Sequence, residues 1–304
     1  MTATSEFAVV QTRAELTSEL RTMRELGRTV GLVPTMGSLH EGHLSLVDRS
    51  RQICDDTVLS IFVNRPQFGQ GEDFDAYPRG LERDVERAEE RGTRLVFAPN
   101  EPVIYPGGAP RVQVDPGEMG ARLCGAFRPG HFRGVLTVVA KLFGLVLPDV
   151  AVFGRKDFQQ CVLVRTMAED LDLGVRIEVA PLVRDPDGLA ISSRNLCLSP
   201  EQRSEAVGIS SSLFEAERLF GDGERRAPTL LGVVREVMAG YPGIRLEYAA
   251  CVDPFTLESV ALADRGTVIL MAAFGGGTRL IDNVVLGDRL SDRFTAAGPT
   301  ETGD

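Results

Sequence analysis

His40 and His43 are two of the chain's three histidines, and both lie in one stretch, VPTMGSLHEGHLSL, at residues 33–46. A spacing of three puts both rings on one face if a helix begins near His40. The first turn of a helix carries N–H groups with no partner inside the helix, and a partial positive charge that attracts anions. Two imidazoles there can donate to a triphosphate and to charge developing on it, and Gly42 lets a phosphate or base come close to the backbone. The pair also suits exposed polar residues or two metal ligands, although no third ligand is evident and HxxH alone does not define a metal site.

Other segments carry matching chemistry. In FGRKDFQQ (residues 153–160), Lys156 can reach phosphate oxygens and Asp157 can accept from ribose hydroxyls. A solvated lysine and a helix N-cap are the plain alternatives. In DGLAISSRN (residues 187–195), the hydroxyls of Ser192 and Ser193 and the guanidinium of Arg194 can clasp a pyrophosphate, or form a surface turn. Gln67 and Gln160 are neutral amides. They suit a hydroxy-carboxylate that must stay nucleophilic, because a salt bridge would hold its charge too tightly; loop or helix-surface glutamines are the alternative.

These residues need a scaffold, and the chain is long enough for one large domain or two: 304 residues, 43% apolar. A net charge of −10 argues against nucleic acid or a membrane surface as partner, yet leaves room for a local cationic site. No apolar run reaches the roughly 18 residues that span a bilayer, and the N-terminus has no signal-peptide pattern. Cys54, Cys124, Cys161, Cys197 and Cys251 are scattered and odd in number, as expected of reduced thiols in a cytoplasmic protein.

A helix is expected over residues 15–26, a strand over 29–33 ending at Pro34, and a helix after His43. Strands at 57–63, 95–98, 150–153 and 175–179 then alternate with helices at 81–91, 134–147 and 159–171. This alternation predicts an α/β fold with a Rossmann-like parallel sheet and helices on both faces, whose strand ends lead into the motif loops. From residue 181 the rhythm changes to helices at 200–220 and 228–239 and strands at 244–251, 267–273 and 278–285. The expected organisation is a domain over residues 1–181, a smaller C-terminal α+β domain over 182–286, and a disordered tail over 287–304.

HxGH after a strand resembles the nucleotidylyltransferase superfamily. With SIFVNRPQF (60–68), RPGHFRGVLTVVAKLF (128–143, containing His131), FGRKDFQQ and DGLAISSRN in this order, the chain from about residue 16 to 286 resembles the pantothenate synthetases, or pantoate–β-alanine ligases. The resemblance implies ATP-dependent condensation of pantoate with β-alanine through a pantoyl adenylate, with AMP and pyrophosphate released, in a homodimer. It implies ATP binding by Met36, Gly37, Ser38, Leu39, His40, Glu41, Gly42 and His43. Gly154, Arg155, Lys156, Asp157, Val183, Ile191, Ser192, Ser193 and Arg194 would do the same, with C-terminal loops acting as a lid. His43 would be the proton donor, with His40, Lys156 and Arg194 also catalytic. Gln67 and Gln160 would contact pantoate, with Gln67 also near β-alanine. Mg²⁺ would bridge the phosphates, and Asp84 matches a position associated with the metal; a solvated helix carboxylate is the alternative.

Three departures stand out. The family's Asn-Pro-x-Gln-Phe is Asn64-Arg65-Pro66-Gln67-Phe68 here, which moves the restriction before proline onto Arg65 and predicts a changed orientation of Gln67. Arg155 replaces a glutamate, and Cys197 an aromatic. A nucleotidylyltransferase that stops at an adenylated product, or a nucleotide sensor without turnover, are the competing functions. Amine-dependent AMP release separates the first from the ligase, and ATP binding without turnover marks the second.

Overall fold

A computed structural model of the protein describes residues 7–287. Apart from Gly287, the expected disordered tail lies outside the described residues. The chain runs β1 (Ala8–Val10), α1 (Arg13–Glu25), β2 (Val30–Thr35), α2 (Glu41–Ile53), β3 (Asp56–Ile61), α3 (Leu81–Glu90) and β4 (Leu95–Phe97). Three short helices, α4 (Glu101–Ile104), α5 (Gly117–Ala121) and α6 (Cys124–Phe127), lead to α7 (His131–Val146), β5 (Val150–Gly154), α8 (Phe158–Asp170) and β6 (Arg176–Ala180). Then follow α9 (Pro200–Glu205), α10 (Val207–Gly221), α11 (Ala227–Met238), β7 (Ile244–Val252), β8 (Val268–Gly275) and β9 (Thr278–Val285).

Two compact units form. In the first, all six strands are parallel, in the order β1-β4-β3-β2-β5-β6. Their residues form nearly unbroken apolar runs, with Leu32, Val33, Val58, Leu59, Val96 and Val152 buried, because a parallel sheet is covered on its faces. α2 packs on β2, β3 and β5 through Leu44 and Val47. α1 starts in a capping box between Thr12 and Glu15 and packs against α7. From β2 the chain steps outward through β3 and β4, then returns to β2's other side with β5. The carboxyl ends of β2 and β5 thus flank the point where the winding reverses, the usual ligand crevice of such sheets.

Among the described residues, the second unit gathers residues 122–124, 155–162 and 181–287. Its sheet is antiparallel, β7-β8-β9, and α10 and α11 pack against it. Leu213, Phe220, Leu230, Val234, Ile269, Met271 and Leu280 form the core between them. Among the described residues no helix is long and apolar enough to cross a membrane, and all five cysteines are free thiols.

Several elements differ from the sequence expectation. β2 continues through Pro34 to Thr35. Thr35 directs its carbonyl to Phe62 on the β3 side, so Pro34, one residue earlier, turns its donorless nitrogen toward β5, where pairing ends at Leu32. β1, three residues paired only to β4, is too short to show a period. α7 starts at His131, three residues early, after left-handed Gly130, and stops at left-handed Leu147 before Pro148. The single helix expected over 200–220 is two, separated at Ala206, whose ψ of −20° tightens the turn.

One close approach in the first unit bears on the turn that carries Gln67. A Cβ on Gly134 in α7 would lie 2.5 Å from the Pro66 carbonyl oxygen and 2.6 Å from the Gln67 nitrogen. Backbone atoms cannot swing aside as a side-chain tip does. Gly134→Ala should therefore destabilise the protein by about 1–3 kcal/mol, the usual cost of overpacking, despite the better helix propensity of alanine. Urea unfolding checks this; unchanged stability would mean that α7 and the 65–67 turn can separate freely.

Candidate active site

The HxGH loop is built where β2 ends. Gly37 (φ +81°) and Ser38 (φ 50°) both adopt left-handed backbone. This sends the consecutive N–H groups of Ser38 and Leu39 to one acceptor, the Asp84 carboxylate, at 2.7 Å each. Asp84 belongs to α3 and is only 3% exposed. Gly37 is required twice over: by its φ, and because a Cβ there would sit 2.8 Å from Asp84 Oδ2 and 3.1 Å from Ile61 Cγ2. Thr35 adds a link, donating to the Ser60 carbonyl and accepting from Gly37 N–H.

α3 fastens the next residues as well. Arg87 donates to the Leu39 carbonyl (2.6 Å) and to Glu41 (3.0 Å), and Arg91 takes the other Glu41 oxygen (2.5 Å). Glu41 therefore turns its carboxylate to α3, leaving only its backbone for a phosphate. His40 is the N-cap of α2, with extended backbone, and His43 is its third residue. The two rings stack, 4.0 Å between centroids and 20° between planes, which is the shared face that their spacing predicts.

Gln67 lies in a 3₁₀ turn, Arg65–Gln67, and is buried. Its side-chain oxygen accepts from Asn64 Nδ2 at 3.0 Å and its amide nitrogen lies 3.2 Å from Met36 Sδ, which joins it to the HxGH loop. Asn64 also donates to the Gly134 carbonyl and accepts from Tyr105 Oη (2.7 Å). The Gln67 carbonyl receives His131 Nδ1 at 2.8 Å, so Nδ1 carries the proton and Nε2 accepts from Arg128 (3.0 Å). Arg128 in turn pairs with Glu72 (2.6 Å). Pro66 is the middle residue of the turn, and Arg65 lays its guanidinium over Phe74 at 4.8 Å.

Within the second unit the remaining expected residues fall around β9. Arg155–Asp157 is a 3₁₀ turn leading into α8. Lys156 Nζ lies 3.7 Å from Asp157, and Gln160, half-buried, follows in the first turn of α8. Its neighbour Gln159 is a structural amide that accepts from Cys124 N–H and donates to the Arg122 carbonyl. Val183 pairs with Ile191 (3.0 Å), and Arg184 bridges to Ala190, closing a small hairpin. Ser192 caps the following turn by accepting from Arg194 N–H, while Ser193 is buried. Asp282 is fully buried; burial pushes its carboxyl up, and hydrogen bonds and charge from Arg184, with a further pull from Lys156, oppose this.

Asn64, Tyr105, Arg87, Asp282 and Asn283 escaped the sequence reading. Each is a polar residue in an otherwise ordinary apolar or charged context, and only the fold reveals its partner. The Asp282-Asn283 pair in the strand TRLIDNVV was the one available signal, since a buried strand rarely holds two such residues. Among the described residues no cluster of three or more His, Cys, Asp or Glu could hold a metal ion, and both Asp84 oxygens are engaged by the loop.

A parallel α/β sheet with a stacked HxGH pair at its winding reversal is the architecture of the Rossmann-like HxGH proteins. Over residues 8–285 the chain matches the model of the pantoate-beta-alanine ligase family, and it belongs to that family. It is 51% identical to the pantothenate synthetase of Thermoanaerobacter sp. strain X514 over 265 residues, 87% of this chain and 93% of that protein. The crystal structure of the Thermus thermophilus pantothenate synthetase is similar, with a TM-score of 0.87, 44% identity, and coverage of 92% of this chain and 99% of that one. The Francisella tularensis pantoate-beta-alanine ligase, solved with beta-gamma ATP and beta-alanine, has a TM-score of 0.73 and 29% identity, covering 92% of this chain and 97% of that one.

Burial would raise the Glu72 carboxyl, but Arg128's hydrogen bonds and charge outweigh it and hold it at about 2, below the usual 4.5. A carboxyl lowered by folding stabilises the protein fully above its unfolded pKa, and that contribution is lost as pH falls toward the folded value. Between about pH 4.5 and 2, Glu72→Gln should lose stability less steeply than the parent chain. Urea midpoints across that range decide it; parallel curves would place the acid sensitivity elsewhere.

Proposed function

We propose that this protein is an ATP-dependent ligase that joins pantoate to β-alanine, and that its chemistry runs through the residues described above. The observation that carries the reading is the stacked pair of His40 and His43, held at the start of α2 by a loop whose backbone is fixed by Asp84. Family membership and the nucleotide and β-alanine seen in the Francisella relative support it.

In the first step the pantoate carboxylate attacks the α-phosphorus of ATP, giving pantoyl adenylate and pyrophosphate. Negative charge moves onto the phosphate oxygens, so catalysis is positioning plus electrostatic stabilisation. His40, His43, Lys156 and Arg194 supply the donors and cations, with His43 as proton donor to the phosphates. Residues 36–43, 154–157, 183 and 191–194 hold the nucleotide. Gln67 and Gln160 bind pantoate through neutral amides, which leave its carboxylate nucleophilic. In the second step the β-alanine amine attacks the acyl carbon of the mixed anhydride, forming the amide and releasing AMP. Water must be excluded meanwhile, or the anhydride hydrolyses.

Mg²⁺ enters with the nucleotide and offsets triphosphate charge; Asp84, which also holds the loop, stands at the position that the family resemblance associates with the metal. In chain order the ATP- and pantoate-binding domain is residues 1–181 and the smaller domain residues 182–286, while residues 122–124 and 155–162 pack with the second compact unit. The enzyme works as a cytoplasmic homodimer, in keeping with the family and with its five free thiols.

Exchange of pyrophosphate into ATP should require pantoate and proceed without β-alanine, whereas AMP release should require both. Exchange seen only with β-alanine present would overturn the two-step order, and ATP binding without exchange would favour the sensor reading. His43→Ala should slow exchange by roughly 10²–10³-fold, the cost of removing one preorganised donor, with little change in melting temperature. A variant that melts early yet turns over normally would make this histidine structural.

A further inference from the structure

Two adjacent residues of β9 lie outside every role assigned above, yet each reaches one of the second unit's two nucleotide segments. Asn283 is 2% exposed. Its amide nitrogen donates to the Arg155 carbonyl at 2.9 Å and to the Lys156 carbonyl at 3.1 Å. Both partners are acceptors, so the nitrogen must face them, and its two N–H groups serve two consecutive carbonyls of the turn that carries Lys156. Asp282, equally buried, takes the Arg184 guanidinium as a fork at 2.6 and 2.9 Å. Arg184 also donates to the carbonyls of Gly188 (2.9 Å) and Asn283 (3.3 Å) and lies over the Phe214 ring. The hairpin it opens passes directly into the turn at residues 192–194, and Asn195 ties that turn back by donating to the Ala190 carbonyl at 3.0 Å.

A strand is the stiffest available ruler, and successive side chains leave it on opposite faces. One residue step of β9 therefore sets where the 155–157 turn stands against the 183–195 segment. We propose that Asp282 and Asn283 are positioning residues that together fix the spacing of Lys156 from residues 192–194. The proposal rests on the nucleotide roles given to those residues above. Neither β9 residue touches the reacting atoms; each acts through the segment it holds. Burying a fully used carboxylate and an amide side by side is an expensive way to close a sheet edge, and it gives what an apolar pair cannot: fixed geometry at two places at once.

The test is a double-mutant cycle in the full chain, read by pyrophosphate–ATP exchange with ATP varied at saturating pantoate and pantoate varied at saturating ATP. Asn283→Leu keeps close to the side-chain volume and removes both donations. It should raise the KM for ATP or lower the exchange rate by roughly ten- to a hundredfold, the scale of a catalytic group displaced by about 1 Å, while the KM for pantoate stays near the parent value. Asn283→Ser, with one donor in place of two, should fall between and takes over the cycle if Asn283→Leu does not fold. In a Lys156→Ala background the Asn283 change should add little, because the group it positions is gone. Additive losses would overturn the proposal and leave the role of Lys156 intact. Equal losses for ATP and pantoate, tracking the fall in melting temperature, would show Asn283 to be merely structural. An inert Lys156→Ala would overturn both this proposal and the reading beneath it.

Discussion

The Asp84 carboxylate is the interaction on which the first unit's chemistry rests. The loop between β2 and α2 belongs to no ladder, and two left-handed residues turn its N–H groups away from the sheet. Unsatisfied, two buried donors would each cost about 1–3 kcal/mol, enough to unravel a short turn. One carboxylate, brought in by α3 and charge-assisted at 2.7 Å on both sides, satisfies them together. With the loop held, α2 begins at a defined place, its N-terminal residues align, and His40 and His43 stack. Arg87 and Arg91 complete the same grip one residue further along.

The two units solve their positioning problems in the same way. In each, a buried polar side chain satisfies the backbone of a neighbouring segment: Asp84 for residues 38–39, Asn64 for the Gly134 carbonyl, Asn283 for residues 155–156. Irregular backbone is what binding demands, since it can present N–H groups and side chains that a helix or strand would occupy itself. Its drawback is orphaned polar groups, and a rigid polar peg is the remedy.

Much of this was legible in the residues themselves. The alternation of β-branched runs with helical patterns indicates a parallel sheet, and its change after residue 181 indicates the antiparallel one. The three-residue spacing of His40 and His43 indicates the shared ring face. Legibility ended where partners are distant in the chain. Nothing near Asp84 says that its carboxylate meets residues 46 positions away. Read locally it is a helix carboxylate, family likeness associates the position with a metal, and only the fold shows its hold on the loop. Glu41 is similar, since only the fold shows two arginines of the α3 region drawing it off. Pro34 marks a strand end by local rules, and only the early end of β5 pairing lets the strand run past it. The shift of Pro66 suggests a changed orientation of Gln67, and only the fold shows that Asn64, Met36 and His131 hold that residue by its side chain and its carbonyl.

The stacked histidines also bear on how this chain can be interrogated. With centroids 4.0 Å apart and planes nearly parallel, each ring forms one wall of the other's conformational cage. Removing either imidazole opens rotamers to its neighbour that the intact pair forbids. His40 and His43 are therefore not two independent variables. A single alanine variant at either position reports the deletion of one ring plus the liberation of the other, and the information needed to separate the two lies only in the doubly altered chain.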